Sequence, residues 1–110
     1  MRKISNLMFA LSAVCATTAL APGLARAATV TITIDNYTFE PAKVTIHPGD
    51  TVIWRNQDSM PHTASALDGS SFDTGAIDPG TSSSPVVLKA GEYAYHCAIH
   101  PDMRGTVEVK

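Results

Sequence analysis

The chain has 110 residues, 45% of them hydrophobic and 16% charged, and a formal net charge of −2. That suffices for one small folded domain and excludes a disordered chain. The faint negative charge leaves no reason to expect a nucleic-acid partner.

Arg2 and Lys3 precede an apolar, small-residue run from Leu7 to Ala21, and Ala25-x-Ala27 follows. This is the layout of a secretory signal cleaved after Ala27. A membrane span needs about 20 apolar residues, and Ser12, Thr17 and Thr18 interrupt this run. Residues 1–27 are therefore expected to be a signal peptide and residues 28–110 the domain, with no stable membrane span after processing. Lipid attachment at Cys15 is disfavoured by the bulky Val14 before it. No twin arginine is present, so export of an unfolded chain is expected, with any metal loaded outside the cytoplasm. Cleavage removes Arg2, Lys3 and Arg26 and leaves 83 residues with a net charge of −5. Cys97 is then the only cysteine, in a compartment where structural cysteines are normally paired, so it needs another explanation.

The mature chain repeats with period two. Thr29 to Ile34 alternates strictly, with Val30, Ile32 and Ile34 on one face, which predicts a half-buried strand. Lys43 to Ile46 is a second strand, and His47-Pro48-Gly49-Asp50 is a turn. Thr51 to Asn56 follows as a strand with Val52 and Trp54 on one face, and His62 to Leu67 as another. Residues 68–84 are rich in Gly, Ser, Asp and Pro and read as loop. Pro85 to Leu88 is a strand. Tyr93, Tyr95 and Cys97 share one face of the next, and Gly105 to Val109 closes the chain. Seven or eight short strands with turns between them and no helix predict an all-β, antiparallel β-sandwich.

The chemistry lies in Cys97-Ala98-Ile99-His100-Pro101-Asp102-Met103, where Cys, His and Met recur at three-residue steps between two strands. Alone, a Cys or a Met is more often core than ligand. Together they offer a thiolate, an imidazole and a thioether, and His62 supplies a second imidazole. Two His and one Cys in a plane with a distant axial Met define a blue-copper electron-transfer site. His62, Cys97, His100 and Met103 are thus the expected ligands of one copper ion. His96, out of phase with Cys97, is expected to point away from the metal. Trp54 is expected in the core and His47 on the surface.

With these residues the chain resembles the cupredoxins, the type 1 blue copper proteins, and among them the amicyanins. The resemblance rests on Met60-Pro61-His62, on Cys97-x-x-His100-Pro101-x-Met103-Arg104-Gly105, on Pro48-Gly49-Asp50, on Val52-x-Trp54 and on Gly91-x-Tyr93-x-Tyr95. It implies an eight-stranded Greek-key sandwich and a monomeric, periplasmic carrier of single electrons. The same four residues would then hold copper. Two positions depart from that pattern. Thr63 stands where the family usually has an Asn that ties the ligand segments together, and its hydroxyl is a candidate for the same role. Asp102 stands where amicyanins have an aromatic residue, which places a charge beside the presumed docking surface.

Electron transfer is therefore the expected function, with a periplasmic dehydrogenase or a c-type cytochrome as redox partner. Asp58, Asp68, Asp73 and Asp78 lie in a stretch from Asn56 to Leu88 without Lys or Arg, most simply a solvated loop region that would also steer a basic partner. A copper carrier or buffer is the alternative, but it lacks the Met-rich or His-rich clusters such proteins use. An enzyme is not expected, because four His leave too few imidazoles for oxygen or nitrite chemistry after two are used.

Overall fold

A computed structural model describes residues 27–110, and the expected signal segment up to Arg26, with Cys15, lies outside the described residues. The described residues form eight strands and no helix. They are β1 (Thr29–Asp35), β2 (Thr38–Glu40), β3 (Lys43–Ile46), β4 (Thr51–Asn56), β5 (Ser65–Ala66), β6 (Val86–Val87), β7 (Gly91–His96) and β8 (Arg104–Val109). One sheet has the order β2-β1-β4-β6 and the other β3-β8-β7-β5.

The all-β sandwich is as expected, and its pairing is mixed. β1 runs parallel to β4 from Thr29↔Thr51 to Ile34↔Asn56, and β3 runs parallel to β8. Consecutive strands joined by a tight turn must be antiparallel, as β1 and β2 are. These parallel pairs join strands distant in sequence, so no turn dictates their direction. One consequence positions the site: β1 and β4 both end at the same edge of the sandwich.

Period two becomes burial. Ile32, Ile34, Val52 and Trp54 from one sheet meet Ile46, Tyr95, Val107 and Val109 from the other in a single core. Each fully buried Ile or Val contributes about 1.5–3 kcal/mol. Trp54 stacks on Phe72 at 5.3 Å between centroids and meets Tyr95 edge-on at 5.4 Å. Burial pushes the Tyr95 phenol up to about 12, opposed by the neighbouring Trp54 indole N–H. The Tyr95 ring also lies against Gly105, its cross-strand partner, and a Cβ there would overlap the ring.

The stretch after β5 is less of a solvated loop than its composition suggests. Phe72 and Ile77 are core residues, and isolated bridges link Ile77 to His62 and Asp73 to Ser65. Two apolar side chains among many polar ones carry no periodicity, so the pattern does not show them.

Candidate metal centre

Two segments meet at the edge where β1 and β4 end. The first leaves β4 at Asn56 and reaches His62. The second leaves β7 at His96 and returns into β8 at Arg104. The second segment closes on itself through its backbone. His100 N–H donates to the Cys97 carbonyl at 3.2 Å and Met103 N–H to the His100 carbonyl at 2.9 Å. Cys97 N–H donates to the Met103 carbonyl at 3.1 Å. Successive three-residue turns bring Cys97, His100 and Met103 to one short loop, which is what their equal spacing in sequence requires.

The expected residues come together there. Cys97 Sγ lies 3.7 Å from His62 Nδ1 and 3.7 Å from His100 Nδ1. The three donor atoms all fall within 4.8 Å of one another. Met103 is buried, and its backbone bonds to both Cys97 and His100. A trigonal metal about 2.3 Å from sulfur and about 2.1 Å from nitrogen sets those two atoms about 3.8 Å apart. The observed separations fit such an ion. A thiolate, two imidazoles and a buried thioether are the donor set that selects copper. His96, Trp54 and His47 fall outside the cluster, as expected: His96 pairs with Arg104, Trp54 is buried and His47 is exposed.

The surroundings explain how the donors are held. Thr63 N–H donates to Cys97 Sγ at 3.3 Å. Thr63 Oγ1 accepts from Ala98 N–H at 2.8 Å and lies 2.9 Å from Ser65 Oγ, which donates to Asp73. Since Ser65 spends its proton on Asp73, the Thr63 hydroxyl donates to Ser65. The hydroxyl thus ties the two segments together beside the sulfur, the task foreseen for it in place of Asn.

Three residues near the centre escaped the sequence reading. Buried Asn56 donates to the carbonyls of Met60 and Ile77, both at 2.8 Å, and accepts from Asp58 N–H, shaping the turn before His62. Asp58 Oδ2 lies 2.8 Å from His62 Nε2, the ring nitrogen turned away from the cluster. Burial pushes the Asp58 carboxyl up, and donors from Tyr37 N–H, Asn36 N–H and the His62 ring more than offset it, so it lies below its usual value. The Tyr37 ring packs near-perpendicular to both imidazoles, at 5.1 Å from His62 and 5.0 Å from His100 between centroids. Of the three, the sequence marks only Asp58, as one of the Asp residues in a stretch without Lys or Arg.

The pattern of the cupredoxin-like domain matches residues 6–109. Amicyanin from Paracoccus denitrificans is 32% identical over 91 residues, covering 74% of this chain and 65% of that protein. Plastocyanin from Scenedesmus fuscus is 35% identical over 85 residues, covering 66% of this chain and 86% of that protein. The chain thus spans just under two thirds of the length of the Paracoccus amicyanins it matches. Among solved structures, the oxidized form of a methionine-to-leucine mutant of amicyanin superposes with a TM-score of 0.68 at 29% identity, over 74% of this chain and 81% of that one. The Cu(I) form of a methionine-to-alanine mutant gives a TM-score of 0.68 at 28% identity, over 74% and 82%.

Proposed function

The chain belongs to the cupredoxin-like family, and from that premise we propose that it carries single electrons between redox proteins on one type 1 copper ion held by His62, Cys97, His100 and Met103. The observation that carries this is the pair of equal 3.7 Å separations between Cys97 Sγ and the two Nδ1 atoms. When bound, copper supplies a one-electron couple at a thiolate.

The chain's own residues make such a couple fast and reversible. A buried His62 and a Cys97 pinned by Thr63 hold their donors in place, so little has to move when the charge changes. His100 is half-buried and stands at the surface end of the loop. Tyr37, Met60 and Ile99, about half exposed, lie beside the two His in space or along the chain. This apolar surface around His100 is the exit for the electron.

We assign the chain to the periplasm on the signal-like N-terminus, and we expect it to work as a monomer. Its partner is a c-type cytochrome or a dehydrogenase, and for a basic partner the encounter rate falls steeply as salt rises. A copper carrier would need further clusters of soft donors, and among the described residues the methionines are Met60 and Met103 alone and Cys97 is the one cysteine. Adding copper to the metal-free protein tests the reading. One equivalent should give an intense blue colour that vanishes and returns through repeated reduction and oxidation, with copper retained against a chelator. Copper lost to the chelator on each reduction would favour the carrier, and a colourless adduct would overturn the site.

A further inference from the structure

We propose that Asp58 is the positioning residue of this centre: its one carboxylate fixes the His62 ring with Nδ1 toward the thiolate, anchors the Asn36–Tyr37 turn to that ring, and lowers the reduction potential of the bound metal. The inference rests on the copper reading above and deepens it.

The carboxylate takes three donors. Asp58 Oδ1 accepts from Asn36 N–H at 2.7 Å, and Oδ2 accepts from Tyr37 N–H at 2.9 Å and lies 2.8 Å from His62 Nε2. A carboxylate only accepts, so the proton of this last bond sits on Nε2. That leaves Nδ1 with a free lone pair, and Nδ1 is the nitrogen facing Cys97 Sγ. The bond therefore selects the tautomer that can bind a metal. A hydrogen bond from the outer nitrogen of a ligating His to a carboxylate also raises ligand basicity.

The same two oxygens stabilise a turn that its residues disfavour. Asn36 and Tyr37 have φ of 53° and 59°, both in the left-handed region. This is the two-residue hairpin turn between β1 and β2, where Asn-Gly is preferred and a bulky Tyr is uncommon. Both N–H groups at the turn end on Asp58, and with the turn held the Tyr37 ring packs near-perpendicular to both imidazoles. Sequence separations of 22 and 21 residues between donor and acceptor mean that Asp58 joins two elements that share no local structure.

The Asp58 side chain is only 10% exposed, so its charge is poorly screened. A negative charge one imidazole away from the metal stabilises the oxidised, more positive state. Neutralising it should shift the ratio of reduced to oxidised protein at fixed ambient potential by roughly tenfold, for a charge at this range in a partly solvated site. For a one-electron couple that is a rise of about 59 mV.

Asp58→Asn and Asp58→Glu test this with two readouts. In the metal-free protein at mildly alkaline pH, nitrogen NMR should show His62 locked as the Nε2–H tautomer, and Asp58→Asn should release it to a mixture. In the copper-loaded protein, Asp58→Asn should raise the potential and Asp58→Glu should return most of the shift. A role in folding alone would lower the melting temperature and move neither readout, and that result overturns the proposal. A potential that Asp58→Glu leaves as high as Asp58→Asn does also overturns it. If Asp58→Asn does not fold, Asp58→Glu with a locked tautomer and near-native potential supports the assignment, and a mixed tautomer refutes it. Failure of the unaltered protein to turn blue would sink the copper reading, while the metal-free tautomer would still decide the role of Asp58.

Discussion

His62 and His100 face the same sulfur at the same 3.7 Å, yet they are held in opposite ways. The His62 ring is 0% exposed, its outer nitrogen is bonded to Asp58, and Asn56 braces the turn before it. His100 is half-buried on a loop closed by backbone hydrogen bonds, between exposed Ile99 and exposed Pro101. A site that must keep its metal and also pass an electron to a partner has two conflicting needs. This chain separates them, with one ligand on the rigid framework and one at the surface.

The shared sulfur gives the largest effect. Cys97→Ser should remove the blue absorption entirely, even where copper still binds, because the colour is charge transfer from the thiolate. The change is nearly isosteric, and Thr63 N–H can donate to a hydroxyl as it does to Sγ. Visible spectra of the copper-loaded variant check this. An equally blue variant would show that Cys97 is no ligand.

The two imidazoles separate next, in the metal-free protein. His62→Ala opens a hole in a buried site and takes a donor from a poorly exposed carboxylate. The expected loss is about 2 kcal/mol or more. His100→Ala removes a half-buried ring that packs against Tyr37 but has no side-chain hydrogen bond besides its approach to Cys97, and should cost about 1 kcal/mol or less. Denaturant unfolding of the two variants measures the contrast, and equal losses would break it.

Much of this was legible in the residue pattern. Alternation placed β1, β3, β4, β7 and β8 within a residue or two, since one buried face per strand leaves a period-two trace. The spacing of Cys97, His100 and Met103 is local, so it could be read directly. β2 escaped because its three residues offer one buried side chain, Phe39, and so no period. Asp58, Asn56 and Tyr37 escaped because their roles are set by partners some 21 residues distant or by a fold edge that exists only once β1 and β4 run parallel. Thr63 lay between these cases. Resemblance marked its position, and only the geometry shows its hydroxyl accepting from Ala98.

That hydroxyl joins the two unequal halves of the centre. Thr63→Val keeps the shape and removes the acceptor for Ala98 N–H and the donor to Ser65. A part-buried N–H left without a partner costs about 1–2 kcal/mol. The loop bearing His100 should then loosen more than the His62 side, so amide exchange should quicken at Ala98 and Ile99 with little change at Ala64. Thr63→Ser should restore the native pattern. Uniform quickening across both segments would mean that the tie serves general stability instead.

The smallest effect comes from the far end of the sandwich, where β4 begins, and it tests whether the centre responds to charge changes outside it. Asp50 accepts from Ala28 N–H and His47 N–H, both at 2.9 Å, and joins the start of β1 to the turn before β4. Those two hydrogen bonds, with the His47 charge, outweigh its desolvation and hold its carboxyl below the ordinary value of 3.8. A folded-state pKa below the unfolded one means that the unfolded chain takes up the proton first as pH falls. The stability from Asp50 is therefore fully present above the ordinary value and is lost as pH falls through the lowered one. Asp50→Asn should leave a protein slightly less stable at neutral pH, with a shallower loss of stability under mild acid. Its copper spectrum should be unchanged, because the whole length of β4 separates the substitution from His62. Unfolding curves between neutral and acidic pH measure the slope. An acid limb as steep as the native one would show that other carboxylates set it, and a shifted copper spectrum would show that the two ends of the sandwich are coupled.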